Sequence, residues 1–235
     1  MKSVAIYHAN NDVSEFTQRN ESDATKVKNI LIAAGAQFDY AVFDLPFGDF
    51  PADPTAFDAV IITGSPAFVE DGDEWILRLF ADIRIMVAAK IPLIGLCFGH
   101  QAILSALGSE VVKTSTWICG ATDFDVFQNR PWMQPTQSRL RLHAANLAQA
   151  NNLPSGFDLL GGSELCPIAL TALGDYIFTT QFHPEMDSDY VADLIEEMAP
   201  LLGAQLDDCR SSIVKGAEGA LFGQWARRFI EMDRA

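Results

Sequence analysis

The first hundred residues alternate short apolar runs with stretches of helical periodicity, the pattern of parallel strands joined by crossover helices. The run Val4 to His8 predicts a first strand. Residues 23–34 predict a helix, with Val27, Ile30 and Leu31 on one face and Gly35 placed to end it. A strand over 38–43 follows, then a loop punctuated by Pro46, Gly48, Pro51 and Pro54. The compact, β-branched run 59–63 predicts another strand, which stops at Gly64-Ser65-Pro66. Trp75, Leu79, Ile83 and Met86 recur at spacings of three and four, so a helix is predicted over 75–89.

A buried strand over 92–95 then leads through a turn at Cys97 into a helix that runs to about Leu107, with Gly108 as its C-terminal stop. Residues 110–173 are mixed. They predict strands near 123–127, 138–143 and 168–173, whose order the pattern leaves open. A strand over 176–181 ends just before His183-Pro184-Glu185, and a helix over 189–202 takes Ser188 as its N-cap. The tail, 217–232, is amphipathic, with Leu221, Trp225 and Phe229 on one side. No repeat, low-complexity tract or linker interrupts the chain, so one α/β domain over 1–235 is expected, with its core at about 1–202 and a helical extension at about 205–235.

The chain has 235 residues, 49% of them hydrophobic and 20% charged, enough to bury a substantial core. Its 16 basic and 31 acidic residues give a net charge of -15, which works against binding the phosphate backbone of nucleic acid or an anionic membrane. The apolar run after Lys2 is too short for a secretory signal, and no stretch reaches the length of a membrane span, so a soluble cytoplasmic protein is expected. Cysteines at 97, 119, 166 and 209 show no CxxC spacing, which indicates neither a zinc site nor a disulfide framework.

Cys97 stands apart because Gly95 and Gly99 flank it at two positions on either side. A nucleophile on a tight strand-to-helix turn needs small residues there to relieve crowding between strand and helix. Such a turn puts the sulfur at the first amides of a helix, where the dipole favours the thiolate. It also leaves the Phe98 N–H free to donate to an oxyanion, and a second donor is expected from Gly64 and Ser65 after the neighbouring strand. In the run Gln181-Phe182-His183-Pro184-Glu185, residues i and i+2 of an extended segment point to the same side. Glu185 can then fix the tautomer of His183, and a Cys97, His183, Glu185 set suits amide hydrolysis. His8 and His100 are weaker candidates, each with an ordinary packing role open to it. The acids Asp71, Asp73 and Glu74 are read as helix-dipole partners rather than metal ligands.

Taken together, Gly95-Leu96-Cys97-Phe98-Gly99-His100-Gln101 and Gln181-Phe182-His183-Pro184-Glu185 resemble the class I glutamine amidotransferase family. The segment Asp58-Ala59-Val60-Ile61-Ile62-Thr63-Gly64-Ser65 resembles the family's oxyanion strand, and Trp75-Ile76 and the Trp117 to Gly120 segment resemble its stand-alone members, γ-glutamyl peptidases included. The resemblance implies a flavodoxin-like, three-layer fold with a central, mostly parallel sheet. It implies attack by Cys97 on a γ-carboxamide to give a γ-glutamyl thioester that water hydrolyses. His183 would act as base and then acid, and Glu185 would orient it. Gln101 would help hold the glutamyl group, with the backbone around Thr116 and Trp117 at its amino and carboxylate end. No metal or organic cofactor is implied.

One segment departs from the family pattern. Stand-alone members carry His-x-Asp-x-Val ahead of Leu-Pro-x-Gly, where this chain has Leu142-His143-Ala144-Ala145-Asn146-Leu147 ahead of Leu153-Pro154-Ser155-Gly156. Either His143 fills that role at a longer spacing or Asn146 replaces the histidine. The leading expectation is therefore a stand-alone hydrolase of glutamine or a γ-glutamyl peptide or amine. The alternatives are an ammonia-supplying subunit that works with a synthase partner, and a non-catalytic regulatory or binding protein on the same fold. A homo-oligomer is compatible with each.

Overall fold

A computed structural model describes residues 1–234; Ala235, the end of the expected extension, lies outside them. Five strands run parallel: β1 (Lys2–His8), β2 (Phe38–Asp44), β3 (Ala59–Ile62), β4 (Leu93–Leu96) and β9 (Ile177–Thr180). Four more continue the sheet in antiparallel fashion: β5 (Val111–Val126), β6 (Arg139–Ala150), β7 (Asp158–Gly162) and β8 (Leu170–Leu173). The full order is β2-β1-β3-β4-β9-β8-β7-β5-β6. In the parallel half β3 and β4 are buried at every position, as continuous apolar strands covered on both faces should be.

Helices cover both faces and make three layers. Helices α2 (Asp23–Ala33) and α8 (Gly219–Glu231) pack on one face, where Val27, Leu31, Phe222, Trp225 and Phe229 join Ile6, Ile61 and Phe178 in one apolar cluster. Helices α3 (Glu74–Ala88) and α4 (Phe98–Ala106) pack on the other, where Ile76, Leu79, Ile83 and Met86 meet Val60, Leu93 and Ile103. Burying a large apolar side chain of this kind stabilises by about 1.5–3 kcal/mol, so the three aromatics of α8 weld the tail to the sheet. Phe178 and Phe222 stack with centroids 5.1 Å apart. Gly223 lets α8 approach α2: a methyl there would lie 2.9 Å from the Ile30 carbonyl oxygen.

The expected elements of the parallel half are present. The middle of the chain differs more. The strands expected at 123–127 and 138–143 are parts of the long β5 and β6, which pair from Val111 with Ala150 to Asp125 with Arg139 around an irregularity between Lys113 and Ile118. β7 was not expected. Its Gly161 and Gly162 carry no signal of a strand, yet a methyl at 161 would sit 2.6 Å from the Asp125 carbonyl oxygen. The short helix α1 (Glu15–Arg19), capped by Ser14, was also not predicted. The helix expected over 189–202 divides into α5 (Ser188–Glu197) and α6 (Ala199–Leu202), and its cap is Asp187, which accepts from the Tyr190 N–H at 2.8 Å. Ser188 is thus the first helical residue. Helix α7 (Leu206–Ser212) precedes α8. No helix among the described residues is long and apolar enough to cross a membrane.

Candidate active site

The site forms where β4 gives way to α4. Cys97 holds a left-handed backbone, φ 49°, which a non-glycine residue adopts only under strain of about 1–3 kcal/mol. The neighbours enforce it. The Cys97 N–H donates to the Thr180 carbonyl at 2.9 Å and the Gly99 N–H to the Thr63 carbonyl at 3.1 Å, which ties the turn to β9 and β3. A methyl at Gly95 would lie 2.6 Å from the Gly99 carbonyl oxygen, and one at Gly99 would strike the Ile62 carbonyl. Both glycines are therefore required by close backbone contact. The Phe98 N–H meets no acceptor among the described residues, while its ring is buried against Trp75 with centroids 5.4 Å apart.

The 183–185 segment reaches this sulfur because β9 is the direct neighbour of β4. His183 Nδ1 lies 2.7 Å from Glu185 Oε1, and both side chains are buried. Burial opposes the charged ring, but the adjacent Cys97 sulfur and the Glu185 carboxylate outweigh it and hold the His183 pKa well above its ordinary 6.5. Gly64 borders the imidazole so tightly that a methyl would be 2.6 Å from Cε1. The main chain is clamped as well: the His183 N–H donates to the His143 carbonyl at 2.8 Å, and the His143 Nδ1 lies 2.9 Å from the Met186 carbonyl oxygen.

A raised folded pKa has a definite sign. Charged His183 contributes stability that is fully present below about pH 6.5 and lost as the pH rises through its folded value. By NMR the His183 ring proton is expected to show no titration between pH 6 and 7. In Cys97→Ala, which removes the larger of the two favourable neighbours, its midpoint falls. The neighbouring His143 is itself held below the ordinary imidazole value by burial, so it brings no added positive charge to this range. A midpoint near 6.5 in both proteins would contradict this electrostatic account.

A glutamine pair lies beneath the sulfur. Gln101 Nε2 donates to the Ala148 carbonyl at 2.7 Å and to Gln181 Oε1 at 3.1 Å, which turns Gln181 Nε2 towards Cys97 Sγ at 3.6 Å. Gln181 was part of the predicted motif without a role. Its signal was the position two residues before His183, on the same side of the extended chain.

Cys97, His183, Gln101, Gly64, Ser65 and Trp117 line one cleft of about 440 Å³. Thr116 is exposed and does not line it. Both backbone groups of Trp117 are taken by Gln205, whose Nε2 donates to the Trp117 carbonyl at 2.9 Å and whose Oε1 accepts from its N–H at 3.2 Å. Trp117 thus offers the cleft its ring. Of the two residues left open in the divergent segment, Asn146 lines the cleft, with Oδ1 buried and unpartnered among the described residues, and the His143 imidazole is turned to Met186. His100 is buried outside the cleft, 2.7 Å from Thr179 Oγ1, with its pKa pushed down to about 3 by burial. His8 pairs instead with Asp44 at 2.6 Å.

Residues absent from the sequence expectation form the far wall. Phe16 of α1 and Tyr190 of α5 meet with ring centroids 5.6 Å apart, and burial, then Asp23, Glu185 and Asp12, raise the Tyr190 hydroxyl pKa. Only the fold brings these segments together.

A family model for class-I glutamine amidotransferases matches residues 17–195, and the chain belongs to that family. Among relatives, it is 25% identical over 173 residues to γ-glutamyl peptidase 3 of Arabidopsis thaliana, covering 70% of this chain and 69% of that one. It is 28% identical over 166 residues to a glutamine-hydrolysing GMP synthase of Porphyromonas gingivalis, covering 70% of this chain and 31% of the synthase. The crystal structure of a glutamine amidotransferase from Methylobacillus flagellatus superposes with a TM-score of 0.73 at 21% identity, over 98% of this chain and 93% of that one, which bears out the fold.

Proposed function

We propose that this protein hydrolyses a γ-glutamyl amide through a thioester on Cys97. The observation that carries the reading is the meeting of Cys97 and His183 in one cleft, with the imidazole fixed from behind by the buried Glu185 carboxylate at 2.7 Å. The Cys97 thiolate attacks the γ-carbonyl, the S–C bond forms, and the oxyanion is met by the Phe98 N–H and the 64–65 turn. His183 gives its proton to the nitrogen as the C–N bond breaks, releasing ammonia or an amine. It then takes a proton from water, whose oxygen adds to the thioester carbonyl as the S–C bond breaks, leaving glutamate and the thiolate. Gln181 donates to the sulfur, and Gln101 sets the direction of that amide.

Incubating the full chain with glutamine and a series of γ-glutamyl compounds tests the reading. Turnover, with labelling of Cys97 by a glutamine-like electrophile, supports it, and neither one would sink it. Gly64→Ala offers a sharper check, because the added methyl displaces the imidazole. A loss of about 10²-fold in kcat/KM is expected, with a stability cost of about 1–3 kcal/mol as the buried imidazole shifts. Full activity would mean that His183 does not need its present position.

The likeness to GMP synthase favours a second reading, in which ammonia from glutamine passes to a synthase partner. Isolated chain that turns over glutamine only when a partner from the native cell is added would favour it.

A further inference from the structure

Resting on that reading, we infer that the leaving group is an apolar amine without a carboxylate, so that the preferred substrate is a γ-glutamyl alkyl- or arylalkylamide. The cleft is too large and too apolar for glutamine alone. Glutamine has ten non-hydrogen atoms, whereas 440 Å³ falls in the range of roughly 300–1,000 Å³ in which clefts enclose drug-sized ligands.

The direction of the spare room follows from the proton donor. His183 must reach the departing nitrogen, so the group attached to that nitrogen lies on the His183 side. The chain that follows His183 builds the wall there: Met186, Tyr190 and Leu194, with the Phe16 ring against Tyr190 and Trp117 packed on the same apolar cluster. These are apolar bodies and aromatic faces, suited to a hydrocarbon chain or a ring.

Charge decides between an amine and an amino acid. Among the described residues no lysine or arginine lines the cleft, whereas Asp12, Asp23 and Glu197 do, and the rim cation Lys113 is held over the ring of Phe68 at 3.6 Å. Asp23 is answered by Lys26 at 3.0 Å, and Lys26 is held there over the Tyr190 ring at 3.3 Å. Asp12 and Glu197 have no cationic partner among the described residues. Asp12 is fixed in place by the hydroxyls of Ser14 and Thr17, at 2.9 and 2.6 Å. A γ-glutamyl amino acid or peptide would bring its own carboxylate against these charges, with no cation in the lining to pair it, and like charges so placed oppose binding. An alkylamine brings no such group. Hydrolysis is balanced with one water: the amide gives glutamate and the free amine, the nitrogen receiving its hydrogen from His183.

The test compares kcat/KM for γ-glutamylbenzylamide, γ-glutamylglycine and glutamine, with Glu197→Lys and Tyr190→Ala beside the parent protein. The benzylamide is expected to exceed γ-glutamylglycine by about tenfold or more. Glu197→Lys, an exposed change, should lower that ratio roughly threefold, and Tyr190→Ala should lower it further by removing the aromatic wall. Turnover of glutamine with no preference for the benzylamide, or a ratio that neither variant moves, overturns this inference and leaves the hydrolase reading intact. No turnover of any of the three, with no labelling of Cys97, overturns both.

Discussion

Cys97→Ala is expected to lower kcat/KM for any γ-glutamyl amide by about 10⁴-fold or more, while the chain still folds. The sulfur is the only group among the described residues that sits both at the start of α4 and beside the His183 imidazole, and no other residue can supply the covalent step from there. What remains is catalysis by binding and by the oxyanion donors alone. A variant retaining a tenth of the activity would refute a Cys97 thioester. The same position permits a separate check on the turn. Alanine at φ 49° keeps the strain that cysteine bears, whereas glycine relieves it, so Cys97→Gly is expected to be more stable than Cys97→Ala by about 1 kcal/mol. Equal thermal midpoints would mean that the turn relaxes without the side chain.

The second large effect is on stability. In Gly99→Ala the new methyl collides with the Ile62 carbonyl, a backbone atom of β3 with no side chain to swing aside. The strand and the helix must part, and overpacking of this kind costs about 2–4 kcal/mol, or roughly 5–15 °C in thermal midpoint for a domain of this size. Because the Gly99 N–H also anchors the turn to Thr63, activity should fall as well. Gly108→Ala is a useful contrast. Its backbone is left-handed, φ 109°, but nothing lies within contact of the added methyl, so only the conformational strain of about 1 kcal/mol is expected. If the two variants melt together, steric contact at Gly99 is not what requires glycine there.

The parallel half of the sheet was legible because its signals are local. Runs such as Ala59 to Ile62 are apolar and β-branched throughout, and the elbow announces itself through glycines two positions either side of Cys97. The antiparallel half was harder for a physical reason. The β6 segment Arg139 to Ala150 is rich in leucine and alanine, good helix formers, and becomes a strand only through pairing with β5. The site followed the same division. Cys97, His183 and Glu185 could be read from spacing within two short segments. The wall built by Phe16, Asp12 and Tyr190 could not, since residues some 170 positions apart meet there only after folding. Gln181 lay within a motif already singled out, yet its amide is aimed by Gln101, a contact between α4 and the end of β9 that no linear pattern expresses.

The contact between the last helix and the His183 loop has a further consequence. The Glu218 N–H donates to the Arg141 carbonyl at 2.8 Å and the Glu218 carboxylate accepts from the Arg141 N–H at 2.9 Å, and a methyl on Gly219 would run into the Pro184 carbonyl. Any side chain added at 219 must therefore push the loop that carries His183 and Glu185. The neighbour is backbone, so no change of side chain at 184 can make room, and substitutions in the first turn of α8 offer a way to tune turnover from outside the cleft through the position of that loop.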